Sequence, residues 1–320
     1  MALQNIELIA FPGAPNLPVF VAQERGFFEK AGVAVNLTTT PNSAFQIEAL
    51  IDGKFHIAGT AFDNIVAYQE GQGAVALKRA PDLFALMGAT QIELAFVVAP
   101  EIADYRDLKG KTLALDAVST GFAFILYEML RRGGLGPQDY KLVPVGATPQ
   151  RWESVKNGTH AGTLTIEPFT SIAQAQGFKV LDSSTSLFDC YQGGAFVASR
   201  KWAADHASAI EGYIKGYLAG LEWTLAAGNR DEATKTLLRK MPEIKPELAQ
   251  AVMNGVLSPK SGLTPNAEIL MDGVRTLLEL RSRYGGGKAP LTEPSRYIDL
   301  RYYENVTRGL PNRPVPKRQS

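Results

Sequence analysis

The stretch that most constrains the fold covers residues 113–132, where an apolar run, a loop of small residues and an amphipathic helix follow one another. The run ends at Asp116, and from Phe122 onwards apolar residues recur every three or four positions, which predicts one buried helix face. Either Ser119 or Thr120 can cap this helix. The unpaired N–H groups at such a helix start favour an anion, although an ordinary strand–helix corner has the same pattern.

The same unit recurs along the first two thirds of the chain, and the alternation of strands and helices predicts doubly wound sheets rather than a sandwich. Within it, Ser43 and Gln46 have capping-box spacing, and Thr148 precedes a proline suited to a helix start. Strands are predicted over residues 6–11, 33–39, 55–58, 83–87, 94–98, 113–116, 141–145, 163–166, 179–181 and 194–199. Beyond residue 200 the pattern is helical only. One apolar stripe is formed by Ile210, Ile214, Tyr217, Leu218, Leu221 and Leu225, and further helices are predicted near residues 231–240, 246–254 and 266–283.

Charge and cysteine content exclude several classes of protein. The 33 basic and 32 acidic residues nearly cancel, so neither nucleic acid nor an acidic membrane surface is indicated as a partner. Cys190 is the single cysteine, which excludes an internal disulfide and any metal site built from several cysteines. The three histidines are scattered without ligand spacing, so we expect no metal and no cofactor. No apolar run reaches the length of about 18 residues that a transmembrane helix needs.

Five short segments carry a family resemblance: PVFVA at 18–22, GFFEKAG at 26–32, ALIDGK at 49–54, LKGK at 108–111 and EP at 167–168. In this order and spacing they resemble the substrate-binding proteins of ABC importers, of the nitrate/sulfonate/taurine and thiamine-pyrimidine-precursor (NMT1/THI5-like) type. The resemblance implies a two-lobed periplasmic-binding-protein fold, type II-like, with a ligand cleft between the lobes. By analogy lobe I is discontinuous, residues 1–91 plus 193–320, and lobe II covers residues 92–192. The crossings near Gln91 and Gly193 would form the hinge.

In this fold the ligand contacts the strand–helix loops that face the cleft, and the resemblance therefore implies a set of candidate ligand-binding residues. The set is Phe11, Asn16, Asn42, Ser43, Phe62, Asp63, Asn64, Thr90, Gln91, Ser119, Thr120, Gly121, Thr165, Glu167 and Tyr191.

Each type of candidate suggests a different part of the ligand. Ser119, Thr120 and the helix start after Asn16 would hold a carboxylate, sulfonate or phosphate through N–H groups. The aromatic candidates would stack on a flat ligand or simply pack in the core. Asp63 and Glu167 would accept hydrogen bonds from an amine or amide, although Glu167 can instead pair with a cation of the protein. No arginine falls in these loops, which disfavours a dianionic ligand.

The resulting functional prediction is a solute-binding component of an ABC importer, which captures a small polar organic ligand (sulfonate, carboxylate or pyrimidine-like) by cleft closure. It would be a monomer that works with a permease, and it would be periplasmic if a signal peptide has been removed from the chain. A cytoplasmic ligand sensor on the same fold is the alternative if no signal peptide existed.

An enzyme on the same fold, similar to a pyrimidine synthase or a decarboxylase, is the other alternative. Pyrimidine synthases of this fold carry a lysine and a histidine four residues apart at the start of the third helix, where this chain has Thr60 and Asn64. They also have a cysteine cluster where this chain has only Cys190. An acid–base pair such as Asp63 with Glu167 is the other arrangement that would suit catalysis. The departures from the synthase pattern favour a protein without catalytic residues.

Overall fold

The structure, a computed structural model, describes residues 2–308; residues 309–320 of the predicted lobe I lie outside this range. Within it, ten strands form two five-stranded sheets. The strands are β1 (Gln4–Ala10), β2 (Val33–Thr39), β3 (Ile57–Ala61), β4 (Leu83–Thr90), β5 (Ala95–Val98), β6 (Thr112–Leu115), β7 (Lys141–Pro144), β8 (Gly162–Thr165), β9 (Lys179–Ser183) and β10 (Gly194–Ser199).

Thirteen α-helices connect and cover the sheets within the same residues. They are α1 (Leu17–Glu24), α2 (Phe27–Lys30), α3 (Ser43–Ile51), α4 (Phe62–Gln69), α5 (Gly121–Arg132), α6 (Thr148–Lys156), α7 (Phe169–Ala175), α8 (Arg200–Asp205), α9 (Ala207–Leu225), α10 (Arg230–Lys240), α11 (Ala249–Val256), α12 (Met271–Tyr284) and α13 (Arg301–Thr307). None of the helices within residues 2–308 combines the length and apolar character needed to cross a membrane.

The two sheets have the same topology, with the first ordered β2-β1-β3-β10-β4 and the second β7-β6-β8-β5-β9. In the first sheet β10 is antiparallel to both neighbours, and in the second sheet β5 is antiparallel to both of its neighbours. The other pairs are parallel, as helical crossover connections require. This architecture confirms the predicted α/β class and two-sheet organisation.

The helices bury the apolar faces that the sequence periodicity predicted. On α9, Ile210, Ile214, Tyr217 and Leu221 are at most 1% exposed and belong to the core that packs on the first sheet. On α5, a second apolar stripe is buried in the core that includes the second sheet. Burial of these two stripes stabilises the two halves of the molecule through the hydrophobic effect.

Two predicted helix starts are wrong. The N-cap of α3 is Asn42, whose side chain accepts a hydrogen bond from the Phe45 backbone N–H, so the predicted capping box at Ser43 does not form. The last long helix begins at Met271, not near residue 266, because Asn266 and Ala267 have φ angles of 57° and 52°. These left-handed conformations are incompatible with a continuous right-handed helix.

The chain passes between the two sheets twice, after β4 and before β10, and the two crossings touch. A Cβ atom on Gly193 would lie 2.1 Å from the Gln91 carbonyl oxygen, so only glycine permits this approach. Ile92, in the first crossing, has a φ angle of 61°, which is rare for a β-branched residue. The division into lobes at residues 91/92 and 192/193 stays a prediction, and this topology suits it.

Candidate functional site

A central cavity lies where loops of the two sheets meet. Its volume is about 90 Å³. Aromatic and aliphatic side chains make up most of its walls, with a few polar groups between them. The lining residues used below are Phe11, Asn16, Thr60, Asn64, Thr90, Ile92 and Phe196 from the side of the first sheet, and Asp116, Thr120, Phe122, Thr148, Arg151, Leu164 and Ile166 from the other side. This composition is typical of small-molecule sites.

Direct hydrogen bonds join the two sides of the cavity. The Ala14 backbone N–H donates to the Glu167 carbonyl oxygen at 2.9 Å, and the Ala147 N–H donates to the Pro41 carbonyl oxygen at 2.8 Å. The Ser43 N–H donates to both carboxylate oxygens of Asp116, each at 3.2 Å. The structure therefore shows a cleft whose walls are in contact around the central cavity.

Asn64 presents an unused acceptor in this cavity. Its Nδ2 donates to Thr60 Oγ1 at 2.8 Å, whereas its buried Oδ1 has no hydrogen-bond partner among residues 2–308. A buried carbonyl oxygen without a partner costs free energy, so an N–H or O–H donor of a ligand would stabilise this site. These are the two positions where the related synthases carry lysine and histidine.

The N-terminus of α5, where the sequence suggested a ligand anion, is occupied by a side chain of the protein. Asp63 Oδ2 accepts from the Gly121 N–H at 2.6 Å, and Asp63 Oδ1 accepts from Arg281 Nε at 2.6 Å. Arg281 Nη2 donates to Asp63 Oδ2 and, at 3.0 Å, to the Ser119 carbonyl oxygen. The side chains of Asp63 and Arg281 are at most 1% exposed, so this carboxylate binds α12 and α5 together, and we revise its predicted role as a ligand acceptor.

Gly121 is needed at this position for packing. A Cβ atom there would lie 2.6 Å from the Asp63 Cβ and Cγ atoms and 3.0 Å from the Tyr191 hydroxyl. Burial raises the pKa of Tyr191 well above its ordinary value, and the Asp63 carboxylate adds to the shift. Gly121 and Tyr191 thus surround the Asp63–Arg281 pair, and neither belongs to the lining of the central cavity.

Arg151 is the cationic residue of the central cavity that sequence analysis missed. It is 4% exposed, and four hydrogen bonds hold its guanidinium. Nε donates to Thr163 Oγ1 (3.2 Å), Nη1 to the Gly146 carbonyl (2.8 Å), and Nη2 to Thr148 Oγ1 (3.0 Å) and the Leu164 carbonyl (3.1 Å). Burial lowers the pKa of Arg151 to about 10, and the charge of Asp116 opposes that shift.

Glu167 lies in a second cavity, here called the acidic side pocket, which shares Thr90 and Ile92 with the central cavity and also contains Glu93. Ser171 donates to Glu167 Oε1 through its hydroxyl at 3.0 Å. Burial raises the pKa of Glu167 to about 7, and the Glu93 charge contributes to the increase while Ser171 opposes it. Among residues 2–308 no cation of the protein forms an ion pair with Glu167, which was the alternative interpretation of the sequence.

The remaining predicted ligand residues are divided between the cavity and its surroundings. Phe11, Asn16, Asn64, Thr90 and Thr120 line the central cavity. Asn42, Ser43 and Ser119 line an outer recess that adjoins it through Asp116 and Ala117. Residues in neither of these nor in the acidic side pocket are Phe62, Asp63, Gln91, Gly121, Thr165 and Tyr191.

Two of these displaced residues belong to the interior. Phe62 is fully buried in the core. Thr165 is also fully buried, and its hydroxyl is bonded to Thr170 Oγ1 at 2.8 Å. Thr120 is the N-cap of α5, but its hydroxyl contacts the Ala117 carbonyl oxygen at 3.3 Å instead of capping the helix.

No metal centre is formed within residues 2–308, where no three histidine, cysteine or acidic side chains come together to hold an ion. Cys190 is a free, half-buried thiol, and burial raises its pKa. A thiol with a raised pKa is a poor nucleophile.

Two mixed sheets, two adjacent crossings and a cavity between the sheets define the periplasmic binding protein fold. Solved structures share it. The nitrate-binding protein NrtA of Synechocystis PCC 6803 is 14% identical, with a TM-score of 0.77 over 96% of this chain and 89% of its own. The alkanesulfonate-binding protein SsuA of Xanthomonas axonopodis pv. citri, bound to MOPS, is 16% identical, with a TM-score of 0.69 over 87% and 91%. The desulfurization enzyme DSZB is 12% identical, with a TM-score of 0.63 over 95% and 99%.

Sequence comparison identifies the family. A family model described as NMT1/THI5 like matches residues 15–230, and the chain belongs to this family, as its short segments predicted. No curated protein sequence is significantly similar to the chain. At these identities the solved structures establish the fold, which both binding proteins and an enzyme share.

Proposed function

We propose that this protein is a solute-binding component of an ABC importer, which encloses one small organic molecule in the central cavity and releases it unchanged. The observation that carries the proposal is that both sheets line this cavity and that hydrogen bonds join them around it, as those of Ser43 to Asp116 and of Ala14 to Glu167 do. A ligand bound there contacts both halves, so its binding free energy favours closure.

The relatives of known ligand support this assignment. NrtA and SsuA are described as nitrate-binding and alkanesulfonate-binding proteins, and both share the fold over most of their length. On this analogy the protein delivers its ligand to a membrane permease and works outside the inner membrane, in the periplasm, as a monomer.

The residues of the cavity also favour binding over the synthase chemistry of related proteins. Thr60 and Asn64 stand at the lysine and histidine positions of those enzymes, and their side chains are hydrogen-bonded to each other in the cavity. An amide and a hydroxyl cannot form the Schiff base that a lysine provides. Asp63, one half of the acid–base pair considered from the sequence, is bound to Arg281.

A thermal-shift screen of organic acids, amides, amines and pyrimidines tests the proposal, followed by mass spectrometry of every compound that stabilises the protein. We expect at least one compound to raise the melting temperature and to be recovered intact. Asn64→Leu should abolish that increase, whereas Asn305→Leu, at an exposed position of α13, should leave it unchanged. Chemical conversion of the compound, or equal binding by the Asn64 variant, would overturn the proposal.

A further inference from the structure

Among residues 2–308 the charge of Arg151 has no carboxylate in direct contact, although Asp116 acts on it from a distance. Its four acceptors are two hydroxyls and two carbonyls, all neutral, and no carboxylate of residues 2–308 forms an ion pair with it. By contrast, Arg281, the other fully buried arginine, has the Asp63 carboxylate. Burying a cation without an anion costs free energy. An anion that enters the central cavity therefore has a stronger electrostatic attraction to Arg151 than it would have in water.

Arg151 also retains hydrogen-bonding capacity. A guanidinium has five N–H groups, and four are used by the hydrogen bonds to Thr163, Gly146, Thr148 and Leu164. The fifth, on Nη1, has no acceptor among residues 2–308. One free N–H and one positive charge suit a singly charged oxyanion.

Among residues 2–308, Asp116 is the only acidic side chain in the lining of the central cavity. It weakens the positive potential that Arg151 creates there without cancelling it. It is half-buried and also borders the outer recess, so water reaches its surroundings, and the Ser43 N–H supplies its hydrogen bond. Arg151 is shielded from water, so its charge is the less screened of the two. Asp116 lowers the positive potential of the cavity, which weakens the binding of a dianion more than that of a monoanion, so a monoanion is the best match.

The other residues that line the cavity indicate the chemistry of the rest of the ligand. Phe11, Phe122, Leu164 and Phe196 offer apolar surface, which rewards a hydrocarbon chain or ring. Asn64 Oδ1 has no partner among the described residues and accepts from an N–H or O–H group. These features separate the ligand from an inorganic anion, which would leave both unused.

We propose that Arg151 binds the anionic group of the ligand, and that the central cavity therefore selects a monoanionic organic acid with an apolar body. This inference rests on the proposed binding function and narrows its ligand class, because neutral pyrimidines leave the charge of Arg151 uncompensated. Asn64 then selects, among such acids, those that carry a hydrogen-bond donor.

The test compares organic acids with amides of the same shape, by calorimetry and thermal shift. Pairs such as benzoate with benzamide, hexanoate with hexanamide, and 4-hydroxybenzoate with 4-hydroxybenzamide have the same shape, and the acid differs from its amide by a negative charge and by the loss of the amide N–H donors. We expect the acid of at least one pair to bind at least 10-fold more tightly than its amide. Amines and neutral pyrimidines in the same screen separate the two proposals: if one of them binds and no acid is preferred, the anion inference fails while the binding function stands. If no compound of any class binds, both fail.

Variants locate the charge. Arg151→Met should weaken binding of the preferred acid by about 30-fold or more, as truncating one partner of a buried charged hydrogen bond does, and should leave binding of the amide unchanged. Arg275→Met, on the exposed face of α12, is the matched control and should behave like the parent protein. Equal loss for acid and amide would assign Arg151 a structural role only and overturn the proposal.

A second variant keeps the test decisive if Arg151→Met does not fold. Asp116→Asn retains an acceptor for the Ser43 N–H and removes the negative charge of the cavity. It should tighten binding of the acid by about 3- to 10-fold and leave the amide unaffected, since a nearby like charge is lost. Weaker binding of the acid by this variant would contradict an anionic ligand.

Discussion

Arg281 and Arg151 are both buried beside a strand–helix corner, yet their surroundings differ in one respect. Arg281 binds a carboxylate, that of Asp63, and through it fixes the N-terminus of α5. Arg151 binds only neutral acceptors, which lie at the start of α6 and on β8, and it borders the central cavity. The first corner has satisfied its charge within the protein, whereas the second has not. The comparison teaches that a helix start typical of anion sites can be filled by the protein itself, and it is the corner with the uncompensated charge to which we assign the ligand anion.

The largest change in folding stability is expected from breaking the Asp63–Arg281 pair at the N-terminus of α5. Arg281→Met leaves the Asp63 carboxylate buried without its cation, which costs about 3–5 kcal/mol of folding free energy. Urea denaturation of the variant measures the loss. The double variant Arg281→Met/Asp63→Leu should recover a large part of it, because no uncompensated charge is then buried. A loss below about 1 kcal/mol in the single variant would show that the pair is not the determinant of this corner.

The corner at Arg151 should lose less stability than the corner at Arg281. Without ligand, Arg151→Met removes a charge that is costly to bury along with its hydrogen bonds, so the free energy of unfolding should change by about 0–2 kcal/mol. This is smaller than the change for Arg281→Met, although both remove one buried guanidinium. The same urea experiment gives this value. If the two single variants lost equal stability, the distinction between the two corners would be wrong.

Glu167 extends the comparison to a buried acid without a cation. Its pKa is raised from 4.5 to about 7, so between these values the folded protein binds more protons than the unfolded chain, and the free energy of unfolding falls as pH rises through this window. Glu167→Gln should remove this dependence and increase stability at pH 8 by about 1–3 kcal/mol. Denaturation at several pH values from 4.5 to 8 measures it. Parallel pH profiles of the parent and the variant would contradict the assignment.

The smallest effect concerns the hydroxyl that remains at the α5 corner. Thr120 lines the central cavity, and its Oγ1 is only weakly engaged with the Ala117 carbonyl oxygen at 3.3 Å. Thr120→Ala should cost about 0.5–1.5 kcal/mol of ligand binding, well below the cost of Arg151→Met, and little stability. Calorimetric titration with the acid that the screen selects measures this cost. If Thr120→Ala lost more binding free energy than Arg151→Met, the anion site would lie at the N-terminus of α5 instead of at Arg151.

Much of the fold followed from sequence periodicity, whereas the site depended on contacts between distant residues. Predicted and observed strands agree to within a few residues because apolar runs bounded by turns are local signals. Asp63 and Arg281 are 218 positions apart, so no local pattern shows that the carboxylate already has a partner. Arg151 lies on a helix where charged residues usually face solvent, and only the packing of α6 on β8 reveals its burial. The one local signal near Arg151 was the helix start at Thr148, which is followed by a proline in the first turn.

The φ angle of Ile92 has a consequence for how tightly any ligand is held. A non-glycine residue in this region stores about 1–2 kcal/mol of conformational energy, and here that energy lies in the segment that joins the two sheets while the cleft is closed. If opening lets Ile92 return to an extended backbone, closure of the cleft stores this conformational energy and opening relieves it. Under the proposed binding function, a ligand then loses about 5- to 30-fold in apparent affinity, and the same energy favours reopening of the cleft.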